Sequence, residues 1–597
     1  MYNKLKAVIE IIKKVFSILS RDQKKKSLVA FGTIVLSSLL ELIGVTVILP
    51  FIMAIMDMDA FMQNQYVRCF LRLFHIENIS APKFFVLIGI LIVFVYVIKN
   101  ICLIWARYVQ HAYQLEVQRE TSVLMMRSYY KRPYEYFANT NSAEILRGIG
   151  SDVNGFSNVI GELFNCLSES LTLLLIAVFV LSTDFMTSIS LVAVVLIAFM
   201  VILYACKNTI AKAGIKSREI TKQYTMWAYQ AINGVKEIFV MKRKRFFLDK
   251  YEKIFREKND TEKRYKLATL IPEKAIEILI VAALIVIICV RILRGDTAES
   301  YIPQLGTLAV ACFRLMPSMN KITSGISQII YFEPSLNAVY NNITDARRYA
   351  NQNYGLIGQE DERDTERITF EKELCMEDIS WRYINGEKNV LEHLSIKIAK
   401  GESIALIGES GAGKSTLADI IMGLLQPQKG VIKVDGKVIN GNHFFGPDII
   451  GYVPQNVYLI DDTIRNNVAF GVPPEEIKDE AIWHALKQSK LDEYVKRLPN
   501  GLETVVGERG VRFSGGQRQR IAIARTMYYD PEILVLDEAT SALDNETERE
   551  VMESIDALQG KKTLIIIAHR LTTIQKCHRV YEVVNGGLVE RDKSEVK

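Results

Sequence analysis

Long apolar runs separated by polar stretches of helical period fill the first 325 residues of the chain. Each of six runs is about 20 residues long or longer, enough for a helix to cross the roughly 30 Å hydrocarbon core of a bilayer. The predicted spans are residues 28–56, 84–105, 164–182, 189–206, 267–290 and 302–325. The stretches after the second and fourth spans exceed 50 residues and keep a helical period, so we expect these helices to continue well beyond the membrane.

Charge in the loops predicts the orientation of the spans. The turn around Asp184 is short and has no Lys or Arg, whereas the two long loops are basic and one contains the run from Lys242 to Arg245. An excess of Lys and Arg is typical of cytoplasmic loops, so both long loops and both chain ends are expected in the cytoplasm. We interpret the basic run as a feature of the membrane surface and expect no nucleic acid as a partner.

The pattern changes after a polar stretch at residues 354–367, where short apolar strands and glycine-rich turns begin. Residues 1–23 carry apolar side chains at helical spacing between lysines, which favours an amphipathic helix on the inner membrane surface over an ordinary soluble helix. We therefore predict that helix at 1–23, a six-span domain with long cytoplasmic loops at 24–335, a linker at 336–366 and an α/β domain at 367–597.

Composition narrows the class of protein. With 49% hydrophobic and 23% charged residues in 597, the chain is neither a purely soluble enzyme nor a fibrous or disordered protein. The net charge of +6 is mild. Eight cysteines without a CxxC pair indicate neither a disulfide framework nor a zinc site.

The first candidate for a chemical site in the second half of the chain is a glycine-rich loop. The segment 408–416 (GESGAGKST) follows the apolar run 403–407 and precedes a helical pattern, and strand, loop and helix in this order make a phosphate-binding P-loop. The loop glycines let backbone N–H groups surround phosphate, and the helix N-terminus adds its dipole. Lys414 is expected to reach the β- and γ-phosphates of ATP, and Ser415 to bind Mg²⁺.

Two further apolar runs end in polar residues. Residues 533–536 lead into Asp537 and Glu538, and residues 563–568 lead into His569. Polar groups at the carboxyl ends of parallel strands meet at one edge of an α/β sheet. We expect Asp537 to hold the Mg²⁺ shell, Glu538 to polarise the attacking water and His569 to contact the γ-phosphate. For His569 alone, a satisfied core histidine is the alternative.

The segment 513–517 (FSGGQ) and the helix after it resemble the signature helix of ATP-binding-cassette (ABC) proteins, with Phe513 where that family usually has Leu. Around it lie counterparts of the adenine-stacking tyrosine, the Q-loop glutamine Gln455, an exporter-type X-loop at 504–510 and a D-loop at 541–544. The resemblance covers residues 377–590. It implies a catalytic role for Glu538, His569 and Gln455, and Mg²⁺ bound by Ser415, Gln455 and Asp537. It also implies nucleotide contacts by Tyr383, Gly408, Ser410, Gly411, Gly413, Lys414, Ser415, Thr416, Ser514, Gly515, Gly516, Gln517 and Asp544.

Six spans before such a cassette resemble a half-transporter of the type IV ABC exporter fold. The fold class is then a polytopic α-helical membrane domain fused to an α/β P-loop ABC ATPase domain. In this family ATP is bound between the loop 408–416 of one cassette and the segment 514–517 of another, which implies a homodimer. Coupling helices are expected near residues 139–144 and 227–236.

Ionisable residues inside the spans are candidates for a substrate cavity, since a charge in lipid is costly. Arg314 and Lys321 are seven residues apart and so share a face of the sixth span, while Lys99 and Glu41 lie in the second and first. Glu169, in the third span, is a further ionisable residue of this kind. The alternative is that these residues pair with one another, for example Arg314 with Glu41, and only hold the helices together.

Three stretches, at 40–51, 232–238 and 313–322, resemble the bacterial lipid-linked-oligosaccharide flippases, in which cavity cations meet a pyrophosphate headgroup. This resemblance implies a polyprenyl-pyrophosphate-linked oligosaccharide as cargo, flipped across the cytoplasmic membrane by alternating access. The alternatives are another amphipathic cargo, such as a lipid, peptide or drug, and an ATP-gated channel or regulator. Because a gate needs ATP binding more than rapid hydrolysis, Glu538 argues against the last.

Overall fold

A computed structural model of the chain describes residues 2–47, 81–183, 185–293, 298–351, 368–383, 386–439, 445–537, 545–568 and 570–594. The chain forms two compact units. The first comprises Met1–Tyr129 and Thr140–Arg347, and the second comprises Tyr130–Asn139 and Arg348–Lys597.

The first unit is built from long helices. Four of its helices have between 49 and 54 residues each: Ala81–Tyr130 (α3), Phe185–Asn233 (α7), Lys244–Leu293 (α9) and Ala298–Asn351 (α10). At 1.5 Å per residue each helix is about 75–80 Å long, more than twice the thickness of a bilayer core. This confirms that the helices extend beyond the predicted spans. The helices of this unit are α1 (Tyr2–Ile18), α2 (Arg21–Thr46), α3 (Ala81–Tyr130), α5 (Ser142–Arg147), α6 (Val153–Thr183), α7 (Phe185–Asn233), α8 (Val235–Val240), α9 (Lys244–Leu293) and α10 (Ala298–Asn351).

Within the described residues, three helical segments are long and apolar enough to cross a membrane: Arg21–Gly44, Lys83–Tyr130 and Ser142–Val178. The predicted spans at 189–206, 267–290 and 302–325 lie inside α7, α9 and α10. The part of the first span after residue 47 lies outside the described residues. Large apolar side chains along α3, such as Ile90, Val93 and Ile104, are more than 60% exposed, as expected for a surface that faces lipid.

The bend between α5 and α6 is a π-helical turn, Gly148–Asp152, held by a buried ion cluster. Arg218 of α7 donates to both carboxylate oxygens of Asp152, at 2.9 and 3.0 Å, and Arg147 lies 3.4 Å from the same carboxylate. Asp152 is only 2% exposed. Because a buried carboxylate needs such partners, this cluster fixes the start of α6 against α7.

The sixth span continues into the predicted linker. Leu336, Val339, Ile343 and Ala346 are buried at helical spacing, and α10 runs to Asn351. The linker predicted at 336–366 is therefore corrected at its start, because this apolar face pulls residues 336–351 into the helix. One of its contacts is α1, in which Lys14 donates to Asn337 at 3.0 Å.

The second unit contains two sheets. The strands are β1 (Glu373–Trp381), β2 (Leu391–Ala399), β3 (Ser403–Ile407), β4 (Lys429–Val434), β5 (Lys437–Ile439), β6 (Ile450–Val453), β7 (Ile533–Asp537), β8 (Thr563–Ile567), β9 (Arg579–Val584) and β10 (Gly587–Arg591). An antiparallel sheet has the order β2-β1-β4-β5, and a larger sheet has the order β10-β9-β3-β8-β7-β6. In the larger sheet all neighbouring strands are parallel except β9 and β10.

The larger sheet is buried on both faces, which is why its strands are continuous apolar runs. Ile404, Leu406 and Ile565 pack toward the antiparallel sheet with the first helix after the glycine loop, whereas Ala405 and Leu564 pack on the opposite face. The helices of this unit are α4 (Tyr134–Asn139), α11 (Lys414–Ile421), α12 (Ile464–Val468), α13 (Asp479–Gln488), α14 (Asp492–Arg497), α15 (Gly515–Met527), α16 (Asn545–Asp556) and α17 (Leu571–Lys576).

Candidate functional site

The glycine loop lies between β3 and α11, as its sequence context predicts. Gly408, Gly411 and Gly413 have φ angles of +140°, +84° and +108°, which favour glycine. At Gly408 a Cβ atom would also lie 2.6 Å from the carbonyl oxygen of Val583. Lys414 is buried, and its Nζ donates to the carbonyl oxygens of Gly408 and Glu409 at 2.8 and 2.9 Å. The loop thus holds an ammonium group inside a curve of backbone, while Ser410 and Ser415 are exposed.

Tyr383 lies beside the loop although it is 31 residues from Lys414 in sequence. Its ring packs edge-on against Trp381 at 4.4 Å between centroids, and its hydroxyl lies 3.4 Å from Oγ1 of Thr416. The ring remains 40% exposed. A half-exposed aromatic face next to the P-loop suits the stacking of a nucleotide base.

Asp537 ends β7 next to β8, with Ile567 as its register partner. The hydroxyl of Tyr452 on β6 donates to Oδ2 of Asp537 at 3.4 Å. Burial, followed by the charge of Asp537, raises the pKa of Asp419 on α11 to about 6. Burial raises the pKa of Tyr452 as well, and the nearby carboxylates add to it. The motif alone did not reveal Asp419 and Tyr452, because their proximity to Asp537 depends on the order of strands.

The signature segment begins α15. Ser514 caps the helix: its Oγ accepts from the N–H of Gln517 at 3.3 Å, and the Gln517 side chain accepts from the Ser514 N–H at 2.9 Å. This capping box keeps Ser514 exposed at the helix N-terminus. Phe513 is buried and packs against Tyr494, so the exchange from the usual Leu is accommodated by an apolar core.

Gln455 is exposed just after β6, and the backbone on both sides of it is tied to α15. Gln519 donates to the carbonyl oxygen of Pro454 at 3.3 Å. Arg525 donates to the carbonyl oxygens of Tyr458 and Asn467, both at 2.8 Å, and its burial lowers the pKa of its guanidinium to about 10. Sequence reasoning assigned Arg525 no role, since nothing in the motif indicates these partners.

Three of the predicted ATP-site residues, Glu538, Asp544 and His569, lie outside the described residues. Arg314 lies within α10, and its side chain lies outside the described part of the chain.

The first predicted coupling segment, 139–144, spans the end of α4 and the start of α5. Helix α4 (Tyr134–Asn139) belongs to the ATPase unit, whereas Thr140 onward belongs to the other unit. Burial and the charges of Asp419 and Tyr383 raise the pKa of Tyr134, so α4 lies close to the P-loop helix. The second predicted segment, 227–236, contains the bend at Gly234 between α7 and α8.

Two of the predicted cavity residues form a closed ion pair. Lys99 Nζ lies 3.2 Å from Glu41 Oε2 and 4.7 Å from the centre of the Tyr96 ring. The side chain of Lys99 is 9% exposed, and that of Glu41 is 19% exposed. A Cβ atom on Gly44 would lie 2.6 Å from the same Nζ, so glycine makes room for the lysine.

Lys321 is paired too, in a larger cluster. Its Nζ lies 2.6 Å from Oε1 of Glu169, and Ser318 donates to Oε2 at 2.8 Å. Arg107 of α3 reaches the same carboxylate at 3.3 Å. Sequence reasoning considered Glu169 as an ionisable residue of the third span but did not find Arg107, which lies just past its span. Lys99 and Lys321 thus pair with carboxylates of other helices, which was the alternative to lining a cavity. The Lys321 side chain is still 52% exposed.

The glycine loop, the Asp537 strand end and the capped signature helix, joined to long apolar helices, define a P-loop ATPase fused to a membrane domain. Residues 391–541 match the family described as ABC transporter, and residues 9–294 match the ABC transporter transmembrane region. A bacterial Atm1-family ABC exporter with ATP bound has a similar fold, with a TM-score of 0.76 at 20% identity over 95% of this chain and 94% of that one.

Curated relatives agree with this class. The ATP-dependent lipid A-core flippase of Vibrio parahaemolyticus is 40% identical over 242 residues, which are 40% of this chain and 41% of the relative. The flippase of the same name from Cupriavidus metallidurans is 29% identical over 467 residues, 77% and 76% of the two chains. The chain thus matches less than half of the first relative's length. The chain carries the transmembrane region and the ATP-binding domain of ABC transporters, in the fold of an ABC exporter.

Proposed function

We propose that two copies of this chain use ATP hydrolysis to move an anionic, amphipathic lipid across the bacterial cytoplasmic membrane, with the ATPase domains in the cytoplasm. The more specific cargo we propose is a polyprenyl-pyrophosphate-linked oligosaccharide. The observation that carries this proposal is the half-exposed Lys321, supported by Arg107, within the membrane half of an ABC transporter. Cations in a medium of low dielectric attract a phosphate headgroup, while a hydrocarbon tail can stay in lipid.

The ATP site supplies the energy in this proposal. Lys414 and the loop N–H groups bind the phosphates, and Tyr383 stacks on the base. Hydroxyl and carboxylate oxygens are the ligands that Mg²⁺ prefers, so the exposed Ser415 and the strand-end Asp537 fit that ion, and the exposed Gln455 would supply a third oxygen. Bound there, Mg²⁺ would neutralise charge on the β- and γ-phosphates. Glu538 polarises the attacking water, and His569 contacts the γ-phosphate.

We propose a homodimer because the ATP site combines segments of two copies of the chain. One chain carries one glycine loop and one signature segment, and the exposed, capped Ser514 is free to donate to a phosphate bound by another copy. The tip between α7 and α9 also exposes apolar side chains, among them Ile232, Phe239 and Val240, each at least 58% exposed. Such a tip favours burial in an assembly. Asp544 belongs to the same composite site.

Lipid A-core is the second candidate cargo, favoured by the names of the relatives. It shares phosphate, sugar and hydrocarbon with the first candidate. A neutral lipid, a peptide or a drug would use apolar cavity positions instead and would tolerate neutral residues at Arg314 and Lys321. A channel or regulator would need no rapid hydrolysis.

Proteoliposomes with purified full-length protein would test the proposal. We expect ATP-dependent flipping of a radiolabelled polyprenyl-pyrophosphate oligosaccharide by the wild type, and its loss in Glu538→Gln, which should bind ATP but hydrolyse it at least about 100-fold more slowly. Glu493→Gln on the surface of α14, where the side chain is 79% exposed, is the matched control and should behave as the wild type.

The same vesicles distinguish the alternatives. Flipping of lipid A-core but not of the polyprenyl-pyrophosphate oligosaccharide would show that lipid A-core is the cargo. Robust hydrolysis with movement of neither lipid would contradict an anionic cargo, and normal hydrolysis by Glu538→Gln would overturn the role of that residue.

A further inference from the structure

Three membrane-half helices bring two cations onto one carboxylate. Lys321 of α10 and Arg107 of α3 both reach Oε1 of Glu169 on α6, at 2.6 and 3.3 Å, and Ser318 donates to Oε2 at 2.8 Å. Asn165, one turn before Glu169, accepts from Arg107 at 2.6 Å. The guanidinium is thus aligned by two separate acceptors on α6.

Charge and exposure are unevenly distributed in this cluster. Glu169 is 6% exposed, whereas the side chains of Arg107 and Lys321 are 34% and 52% exposed. The directly bonded groups carry two positive charges and one negative charge. A second carboxylate, Glu162, lies nearby: it accepts from the amide of Asn165 at 3.4 Å and interacts electrostatically with Arg107. A buried anion is therefore covered by cations whose outer sides remain accessible.

The Lys99–Glu41 pair shows the opposite arrangement. It contains one charge of each sign, both side chains are less than 20% exposed, and the Tyr96 ring and Gly44 enclose the ammonium group. Among the described residues, that pair is enclosed by its neighbours. The Arg107, Glu169 and Lys321 cluster, by contrast, leaves one side of each cation accessible.

We propose that Arg107, Glu169 and Lys321 form an anion-exchange site, in which Glu169 is an internal counter-ion that a phosphate or pyrophosphate headgroup displaces from the two cations. This inference rests on the proposed function, because it assigns the anionic headgroup of the cargo to this cluster. Without cargo, Glu169 bonds to both cations, so that neither of them lacks a partner between the helices. A headgroup with more charge and more acceptor oxygens can engage the fork of Arg107 and the ammonium of Lys321 together. Glu169 then keeps its bond from Ser318.

Binding by full-length protein in phosphatidylcholine nanodiscs would test the exchange, with saturating Mg·ADP so that the phosphate sites of the ATPase domain are filled. The probe is tritiated farnesyl pyrophosphate, and farnesol is its uncharged counterpart. We expect Glu169→Gln to bind farnesyl pyrophosphate about 5- to 10-fold more tightly than the wild type, because a competing negative charge is removed. Arg107→Gln and Lys321→Gln should each bind it about 5- to 10-fold more weakly.

Glu257→Gln is the matched control, since Glu257 also pairs with a lysine, Lys216 at 2.7 Å, but on the exposed surface of the same unit. Its affinity for farnesyl pyrophosphate should equal that of the wild type, and farnesol binding should be the same in all variants. Glu169→Asp should bind the probe as weakly as the wild type, because it keeps the counter-ion. If Glu169→Gln fails to fold, the weaker binding expected of Arg107→Gln and the restored binding expected of Arg107→Lys still test the site.

Equal affinity of the wild type and a folded Glu169→Gln for farnesyl pyrophosphate would overturn the exchange, as would an equal gain for farnesol. These outcomes are independent of the flipping assay. Flipping of the polyprenyl oligosaccharide together with unchanged binding by Glu169→Gln would refute the exchange alone. Tighter binding of farnesyl pyrophosphate by this variant without flipping of that cargo would refute the specific cargo alone.

Discussion

The glycine loop at 408–416 and the Arg107, Glu169 and Lys321 cluster both hold cations in place, but their residues come from very different lengths of chain. The loop places its lysine among glycines and backbone carbonyls within nine consecutive residues, and the ammonium group is buried against its own loop. The cluster draws on three helices whose residues are up to 214 positions apart (321 − 107). The first site therefore depends on local backbone conformation, and the second on how helices pack.

The largest effect in this comparison is expected from local strain at the loop. Gly408→Ala would place a Cβ 2.6 Å from a backbone oxygen at a φ of +140°, so it should destabilise the ATPase unit by about 2–4 kcal/mol and prevent tight ATP binding. Urea unfolding of the full chain, followed through tryptophan fluorescence, to which the buried Trp381 of this unit contributes, measures the change.

Gly471→Ala is the control for this strain. Gly471 has a φ of +80° but no atom within 4 Å of an added Cβ, so only the conformational cost of about 1 kcal/mol remains. Equal losses for the two variants would show that the close approach to Val583 does not matter.

A smaller, pH-dependent effect on stability is expected from the closeness of Asp419 and Asp537 inside the ATPase unit. Burial and the charge of Asp537 raise the pKa of Asp419 from its ordinary 3.8 to about 6, so the folded state binds a proton more tightly than the unfolded state. Stability therefore falls as pH rises from about 4 to 6, and the full penalty is present above pH 6.

Asp419→Asn should remove this penalty. Because Asp419 is partly solvated, we expect a gain of only about 1 kcal/mol at pH 7.5, shrinking toward pH 4, in thermal unfolding without nucleotide. A gain that is independent of pH, or that grows as the solution is acidified, would contradict the assignment.

The smallest effect is expected for the closed ion pair in the membrane half. A double-mutant cycle with Lys99→Met and Glu41→Gln should give a coupling energy of about 1 kcal/mol, because polar pairs in membrane helices contribute modestly. The exposed Lys216–Glu257 pair provides the reference, and its coupling should not exceed about 0.5 kcal/mol. Unfolding in mixed detergent and denaturant measures both cycles, and identical couplings would mean that enclosure by Tyr96 and Gly44 adds nothing.

The predictions that the structure confirms rest on local pattern. The strand before Gly408 and the helix that begins at Lys414 follow from residues within one turn or one loop of each other. Long apolar runs likewise predicted helices, since a chain in lipid must satisfy its hydrogen bonds internally. The start of the linker was misjudged because the apolar face from Leu336 to Ala346 was not weighed against its polar neighbours.

The residues that sequence reasoning missed or left open all depend on distant partners. Arg107 lies beyond the end of its span, and its carboxylate partner is on another helix, so its local pattern indicates only a membrane-surface arginine. Arg525, Asp419 and Tyr452 take their roles from the order of strands and from loops many residues away. Pairing and cavity lining could not be separated for Lys99 and Lys321, because residue spacing along one helix contains no information about the facing helix.

By itself, the sequence determined the membrane helices, the P-loop ATPase domain and the residues expected to bind ATP, because glycine conformation, helix capping and apolar length are properties of short segments. Only the tertiary structure decided that Lys99 closes on Glu41, whereas Lys321 shares Glu169 with Arg107 and remains half open. The physical reason is that a charge in a membrane protein is defined by the counter-charge across the helix interface, and that distance is set by packing.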